Sequence, residues 1–138
     1  VFGEIEMPRE NVIIVVKPVL GFSSYREFAF WENEHTSPIK WLHSVERKDL
    51  AFPIIDPKFV KDDYFFKISE NDISDLGLEE SIEYDAYVIM VLSGKRENIK
   101  ANLRAPLIVN PRKNTAKQII LTGEKYPIQF YVFKNTGL

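Results

Sequence analysis

The sequence lacks cysteine, contains only two histidines and is nearly neutral, with 18 basic and 20 acidic residues. The missing cysteine excludes disulfides, thiolate metal sites and thiol nucleophiles, and it suits a reducing cytoplasm. The near-neutral charge argues against a domain whose main partner is a phosphate backbone. No apolar run approaches the roughly 18 residues of a membrane-spanning segment, so we expect no membrane partner. The chain opens at Val1 instead of Met, so we expect a few residues to precede it.

Short runs of alternating or β-branched residues, separated by turn residues, dominate the chain. Residues 11–16 are a continuous β-branched run, and the aromatic residues, 13% of the chain, also favour strands. Pro106 cannot donate to a ladder, so its segment needs an edge position or a bulge. The predicted strands are 3–7, 11–16, 28–30, 41–45, 52–55, 64–68, 84–92, 101–110, 117–122 and 128–133.

One helix is well signalled near residues 70–77. Ser69 and Asp72 have capping-box spacing, Ile73 and Leu76 share a face, and Gly77 stands where a left-handed C-cap is wanted. The sequence has no pattern of strands alternating with crossover helices, which argues against a parallel doubly wound sheet. With 138 residues, we predict a single mainly β domain over 1–138. Its fold is an antiparallel β-barrel-like domain of about nine or ten short strands, capped by the helix.

Charge is unevenly distributed along the chain. Residues 70–85 carry seven acids and no base, whereas residues 95–117 carry seven bases and one acid. These stretches are either ordinary solvated faces or two opposed surface patches.

Residues that could support catalysis are few and badly spaced. His35 and His43 have no metal-ligating partner at a useful spacing, and we expect structural or surface roles for both. Ser93-Gly94-Lys95 lacks the upstream glycine of a phosphate loop. No triad, zinc site or dinucleotide fingerprint is present, so we expect no enzyme activity, no metal and no organic cofactor.

Five segments, in order, carry a resemblance to a known family. They are Trp-Leu-His-Ser-Val at 41–45, Leu-Ala-Phe-Pro-Ile-Ile-Asp-Pro at 50–57, Ala-Asn-Leu-Arg-Ala-Pro-Leu-Ile-Val-Asn at 101–110, Lys-Gln-Ile-Ile-Leu at 117–121 and Lys-Tyr-Pro-Ile at 125–128. Together they resemble the flagellar assembly factor family, FliW, in nearly continuous register along the chain.

The resemblance implies a β-barrel-like, non-catalytic bacterial regulator that works in the cytoplasm. Proteins of this kind bind flagellin before export. They also bind and antagonise CsrA, an RNA-binding translational repressor, which couples flagellin synthesis to secretion. We therefore expect flagellin and a CsrA-type protein as partners of a monomer, with no direct contact to nucleic acid.

The matched segments supply the predicted binding surface. We expect partners to meet a face built from Ile55, Asp56 and Pro57 together with Asn102, Arg104 and Pro106, because each segment has a proline that can interrupt a ladder. Ile55 points away from Ile54 and is the better interface candidate. Glu79 and Glu80, in the acidic stretch, would steer the basic repressor. Core positions are expected at Phe52, Ile54 and Phe59.

Two other functions remain open. The basic run 95–117 could serve a single-stranded RNA-binding barrel, although it contains no aromatic residue to stack bases. The mouth of a barrel could also hold a small molecule, as a carrier or an enzyme, but the sequence shows no set of convergent polar groups for it.

Overall fold

The computed structural model describes residues 12–17, 25–32, 34–79 and 83–133. Within these ranges the regular structure is almost entirely β, with one short α-helix and two 3₁₀ turns at Pro57–Phe59 and Arg96–Asn98. The elements are β1 Val12–Lys17, β2 Glu27–Glu32, β3 Lys40–Ser44, β4 Ala51–Ile55, α1 Glu70–Leu76, β5 Asp85–Val91, β6 Lys100–Ala101, β7 Leu107–Asn110, β8 Thr115–Gln118 and β9 Phe130–Tyr131.

Seven of these strands close into a barrel. Their order is β4-β3-β2-β1-β8-β7-β5, and a short pairing of β4 with β5 completes the circle. The neighbours are antiparallel except β1 and β8, which run parallel. β6 and β9 extend outward from the far end of β5. The predicted mainly β, barrel-like fold with a capping helix is confirmed, and the parallel pair makes the barrel mixed.

Apolar side chains are buried on both faces of the barrel wall. The first cluster fills the interior and contains Ile13, Val15, Phe28, Leu42, Ile54, Leu107, Val109 and Ala116. The second lies against the β6–β9 extension and contains Ile55, Tyr64, Val88, Met90, Ala101, Leu103, Tyr126 and Val132. Successive residues of β4 and β5 alternate between the two clusters, as the pleat requires. These strands are therefore covered on both sides.

Helix α1 forms as its sequence signals predict. The Ser69 hydroxyl accepts from the Asp72 amide, and the Asp72 carboxylate accepts from the Ser69 amide, which is a reciprocal capping box. Gly77 ends the helix in the left-handed conformation, with φ 69°. Asn110 Nδ2 and Thr115 Oγ1 both donate to the Leu76 carbonyl, at 2.9 and 2.8 Å. These side chains satisfy the C-terminal end of the helix and dock it on β7 and β8.

Some predicted strands differ from the observed ones. Residues 64–68 are not a strand, because the Phe65 backbone bonds to the side chain of Tyr126 instead of a neighbouring strand. The segment 101–110 splits into β6 and β7, and Pro106 lies in the break between them. The predicted strand 3–7 lies outside the described residues.

Candidate partner-binding groove

A large groove opens beside the point where β4 leaves the barrel wall. Its volume is about 1210 Å³. Three stretches of chain line it: residues 32, 34 and 37–40, residues 56–59, and residues 64–66. Tyr84 and the first three residues of β5 complete the lining. The groove exists because β4 stops at Ile55. Pro57 begins a 3₁₀ turn, and the Asp56 carboxylate caps that turn by accepting from the Lys58 amide at 3.0 Å.

Two phenylalanines project into this groove with most of their surface uncovered. Phe59 is 67% exposed and Phe65 is 64% exposed, which is unusual for rings of this size. The Phe65 backbone is fixed, since its N–H donates to the Tyr126 hydroxyl at 2.9 Å and its carbonyl accepts from the same hydroxyl at 3.1 Å. Phe65 is therefore held outward by a rigid support.

Tyr64 fixes the same segment from its buried side. Its hydroxyl donates to the Leu103 carbonyl at 2.7 Å, and its ring centroid lies 4.5 Å from that of Tyr126. Burial raises the pKa of the Tyr64 phenol well above its usual range, so this hydroxyl stays protonated as a donor. Such a pre-organised support lowers the entropy cost of binding a partner at the neighbouring Phe65.

The opposite wall of the groove carries a charged pair. Lys40 Nζ lies 3.0 Å from the Glu32 carboxylate and 3.4 Å from the Tyr87 hydroxyl. Burial acts to lower the pKa of Lys40, but its hydrogen bonds to Glu32 and Tyr87 and their charges outweigh burial and raise the pKa. Lys40 is thus charged and already bound to side chains of the protein.

The first predicted segment reaches the groove, but in an unexpected orientation. Ile55 is only 5% exposed and packs in the second cluster beside Val88, so the prediction that it faces outward is wrong. The physical reason is that the wall is covered on both faces. Asp56 is exposed on the rim, and Pro57 is buried at the base of the groove.

The second predicted segment forms a tight turn beside the groove and does not line it. Asn102 Oδ1 accepts from the amides of Arg104 and Ala105, both at 3.1 Å. Arg104 Nε donates to the Tyr126 carbonyl at 2.9 Å, and Pro106 is fully buried. Through Tyr126, this turn supports the segment that carries Phe65. The two predicted segments are therefore neighbours, separated by residues 64–66.

The acidic and basic stretches contact each other at two places. Lys117 is buried and binds the carboxylates of both Asp72 and Asp75. Arg112 lies 3.1 Å from Glu83. These contacts join the two stretches, because β8 lies against α1 and Lys117 pairs with two of the acids of the helix. Glu79 is exposed, and Glu80 lies outside the described residues.

The two exposed phenylalanines of the groove are not identified by the sequence analysis. The prediction that Phe59 belongs to the core is wrong, because the 3₁₀ turn directs its side chain outward. Phe65 was not singled out, although it lies between Tyr64 and Phe66, and alternation alone places it on the opposite face. Ile54 is fully buried and Phe52 packs beside the interior cluster, as predicted.

Within the described ranges, no group of three His, Asp or Glu side chains is arranged to hold a metal ion. No helix in those ranges is long and apolar enough to span a membrane.

Comparison with known proteins identifies the family. A family model described as FliW protein matches residues 1–132. The flagellar assembly factor FliW of Caldicellulosiruptor saccharolyticus is 35% identical over 135 residues, covering 98% of this chain and 88% of that protein. The FliW of Thermosipho africanus is 39% identical over 128 residues, covering 92% and 88%. A crystal structure of the flagellar assembly factor FliW matches the fold with a TM-score of 0.86 at 26% identity, covering 94% of this chain and 90% of that one. The chain therefore belongs to the FliW family of flagellar assembly factors.

Proposed function

We propose that this protein is a cytoplasmic, non-catalytic regulator that binds flagellin and antagonises a CsrA-type translational repressor. Membership of a family of flagellar assembly factors supports a role in flagellum biogenesis. Free protein would hold the repressor away from its RNA, and newly made flagellin would compete for the protein. Export of flagellin then frees the protein again, so that synthesis follows secretion.

The observation that carries flagellin binding is the pair of exposed phenylalanines in the groove. An aromatic ring on a fixed backbone is the usual form of an interface hot spot, because it buries much apolar area for little loss of entropy. Phe59 and Phe65 approach the groove from two different chain segments. The groove is thus suited to an apolar segment of a protein partner.

We assign the repressor to the acidic stretch that contains Glu79 and Glu80. Glu79 is exposed, three residues beyond the last residue of α1. Lys117 pairs with both Asp72 and Asp75 and offsets one of their two negative charges, so attraction of a basic partner rests mainly on the other acids of this stretch. We therefore expect the two partners to bind different faces, or faces that overlap only in part.

The flagellin assignment is tested by calorimetry with purified flagellin and the variants Phe59→Ser and Phe65→Ser. Each change should weaken binding about thirtyfold, the effect of a hot spot near 2 kcal/mol. Ile120→Ser is the matched control, since Ile120 is similarly exposed but does not line the groove. Flagellin binding that is unaltered in both phenylalanine variants would exclude the groove as the site.

The repressor face is tested by the double change Glu79→Lys with Glu80→Lys. It should weaken binding of the CsrA-type protein more than binding of flagellin, and it should flatten the dependence of repressor affinity on salt. Arg104→Glu is a separate variant that probes the turn at 102–106 beside the groove. Equal losses for both partners in the double variant would contradict the use of two faces. RNase is included so that RNA cannot bridge the proteins.

A further inference from the structure

The barrel closes between β4 and β5 through the shortest of its ladders. Only two residue pairs contribute to it, Ile54 with Ile89 and Ile55 with Val88. β5 extends three residues further, to Asp85, while β4 turns away at Pro57. Asp85, Ala86 and Tyr87 all line the groove. This part of β5 pairs with β7 on one side and faces the groove on the other.

The other side of the gap is the chain that leads into β3. Lys40 pairs with Ile54, so Ile39 and the residues before it flank the path that β4 would have taken. Ser37, Pro38 and Ile39 also line the groove. The groove therefore occupies the place of about three further residues of β4, roughly 10 Å at 3.3 Å per residue.

The backbone of β5 has the polarity needed to receive a strand there. The Ile89 carbonyl accepts from the Asn102 amide on the side away from β4. In an antiparallel strand, the N–H and C=O of one residue point to one side and those of the next residue point to the other side. Those of Val88 and Ala86 are therefore directed toward β4 and its missing continuation. The amide and carbonyl of Ala86 therefore border the groove, where an added strand could bond to them.

We propose that the partner segment enters this groove in extended form and adds a short strand to β5 at Ala86. This inference rests on the proposed function, since it takes flagellin as the partner. It specifies the mode of binding as strand addition, in which main-chain hydrogen bonds give affinity and alternate side chains give specificity.

The lining of the groove defines the chemistry of the added segment. Phe59 and Phe65 on the outer side call for an apolar side chain between them. Lys40 and Glu32 pair with each other and offset each other's charge. The other charged residues of the lining are three acids, Glu34, Asp56 and Asp85, and one base, Lys58. This excess of acid favours a segment whose apolar residue is flanked by a lysine or arginine.

The decisive variant is Ala86→Pro, which removes the amide hydrogen on the groove side. That amide is not directed at β7, so the existing ladder keeps its bonds. We expect about a tenfold loss of flagellin affinity from a lost main-chain bond and the local obstruction. Ala86→Ser keeps the amide and should bind as the unaltered protein does. Circular dichroism and thermal melting of both variants establish that the fold is retained.

A second measurement does not depend on any variant. Hydrogen exchange of the full chain with bound flagellin should show slower exchange at the Ala86 amide. Carbon chemical shifts of the labelled flagellin segment in the complex should be those of a strand.

The outcomes separate this inference from the function on which it rests. Flagellin binding with helical shifts and an unprotected Ala86 amide overturns strand addition and leaves the proposed function intact. Failure of flagellin to bind at all overturns both. Protection of Ala86 in the protein alone, together with a dimer in sedimentation, would identify a second copy of this chain as the occupant and would overturn the proposal.

Discussion

Replacing Lys117 by methionine tests the ionic contact that ties α1 to the barrel. The Lys117 side chain is 10% exposed and binds Asp72 and Asp75, whose side chains are 16% and 33% exposed. The Asp75 contact is 2.8 Å long. Methionine keeps most of the apolar stem and removes only the charge, so the change isolates the ionic contribution.

The expected loss follows from the intermediate burial of this cluster. Removing one partner of a fully buried pair costs roughly 3–5 kcal/mol, and exposed pairs contribute roughly 0.2–1 kcal/mol. Here the lysine is almost enclosed while Asp75 is open to water. We therefore expect Lys117→Met to lower the free energy of unfolding by about 2 kcal/mol. For a chain of this length the melting temperature should fall by roughly 6–10 °C.

The pH dependence has a definite sign. Burial acts to raise the pKa of Asp72, but hydrogen bonds with Lys117 and Ser69 outweigh it and lower the pKa below 3.8. This contribution is present above pH 3.8 and is lost as pH falls through the folded-state pKa. Burial likewise acts to lower the pKa of Lys117, but its bonds to the two aspartates raise it above 10.5. That contribution is present below pH 10.5 and is lost as pH rises further.

The assay is urea unfolding of the unaltered protein and the variant between about pH 3 and pH 9. The stability difference should be constant from about pH 5 to pH 9 and should shrink below about pH 4, where Asp72 becomes protonated. Lys48→Met, at an exposed position in the turn between β3 and β4, is the control and should change stability little. A difference under about 0.5 kcal/mol, or one that does not shrink in acid, would refute the ionic account.

Three further predictions concern single side chains. Ser69→Ala removes the N-cap of α1 and should cost about 1 kcal/mol, measured by the urea midpoint; an unchanged midpoint would mean the cap contributes nothing. Tyr126→Phe leaves the Phe65 amide without its partner and should cost about 1–3 kcal/mol, and weaker flagellin binding should accompany it; full stability in a thermal melt would contradict this. Ile55→Asp places a carboxylate in the second cluster and should abolish the cooperative thermal transition, whereas a surface role would leave it intact.

The local signals in the sequence were sufficient for most elements. A strand reveals itself through alternation, and a helix end through the residues that cap it, because both depend on neighbours within a few positions. The start and end of α1 are predicted from the spacing of Ser69, Asp72 and Gly77 alone. Likewise, Pro106 marks a break in a ladder wherever its strand lies.

The candidate site could not be predicted in the same way. Alternation shows that Ile54 and Ile55 point to opposite faces, but it does not show that both faces are covered. Phe59 follows a proline turn whose direction depends on the barrel wall beside it. Which of these side chains reaches water is therefore decided by contacts between distant segments.

The sequence by itself determined the β character of the chain, the capped helix and, through its matched segments, the family. The tertiary structure alone decided how the barrel closes, with β1 beside β8 and a short β4–β5 ladder that leaves the groove open. It also decided that Lys117 pairs with two acids of α1, although the two segments are more than 40 residues apart. The physical reason is range: propensities and caps act within a turn or two, whereas closure and ion pairing depend on which distant segments pack together.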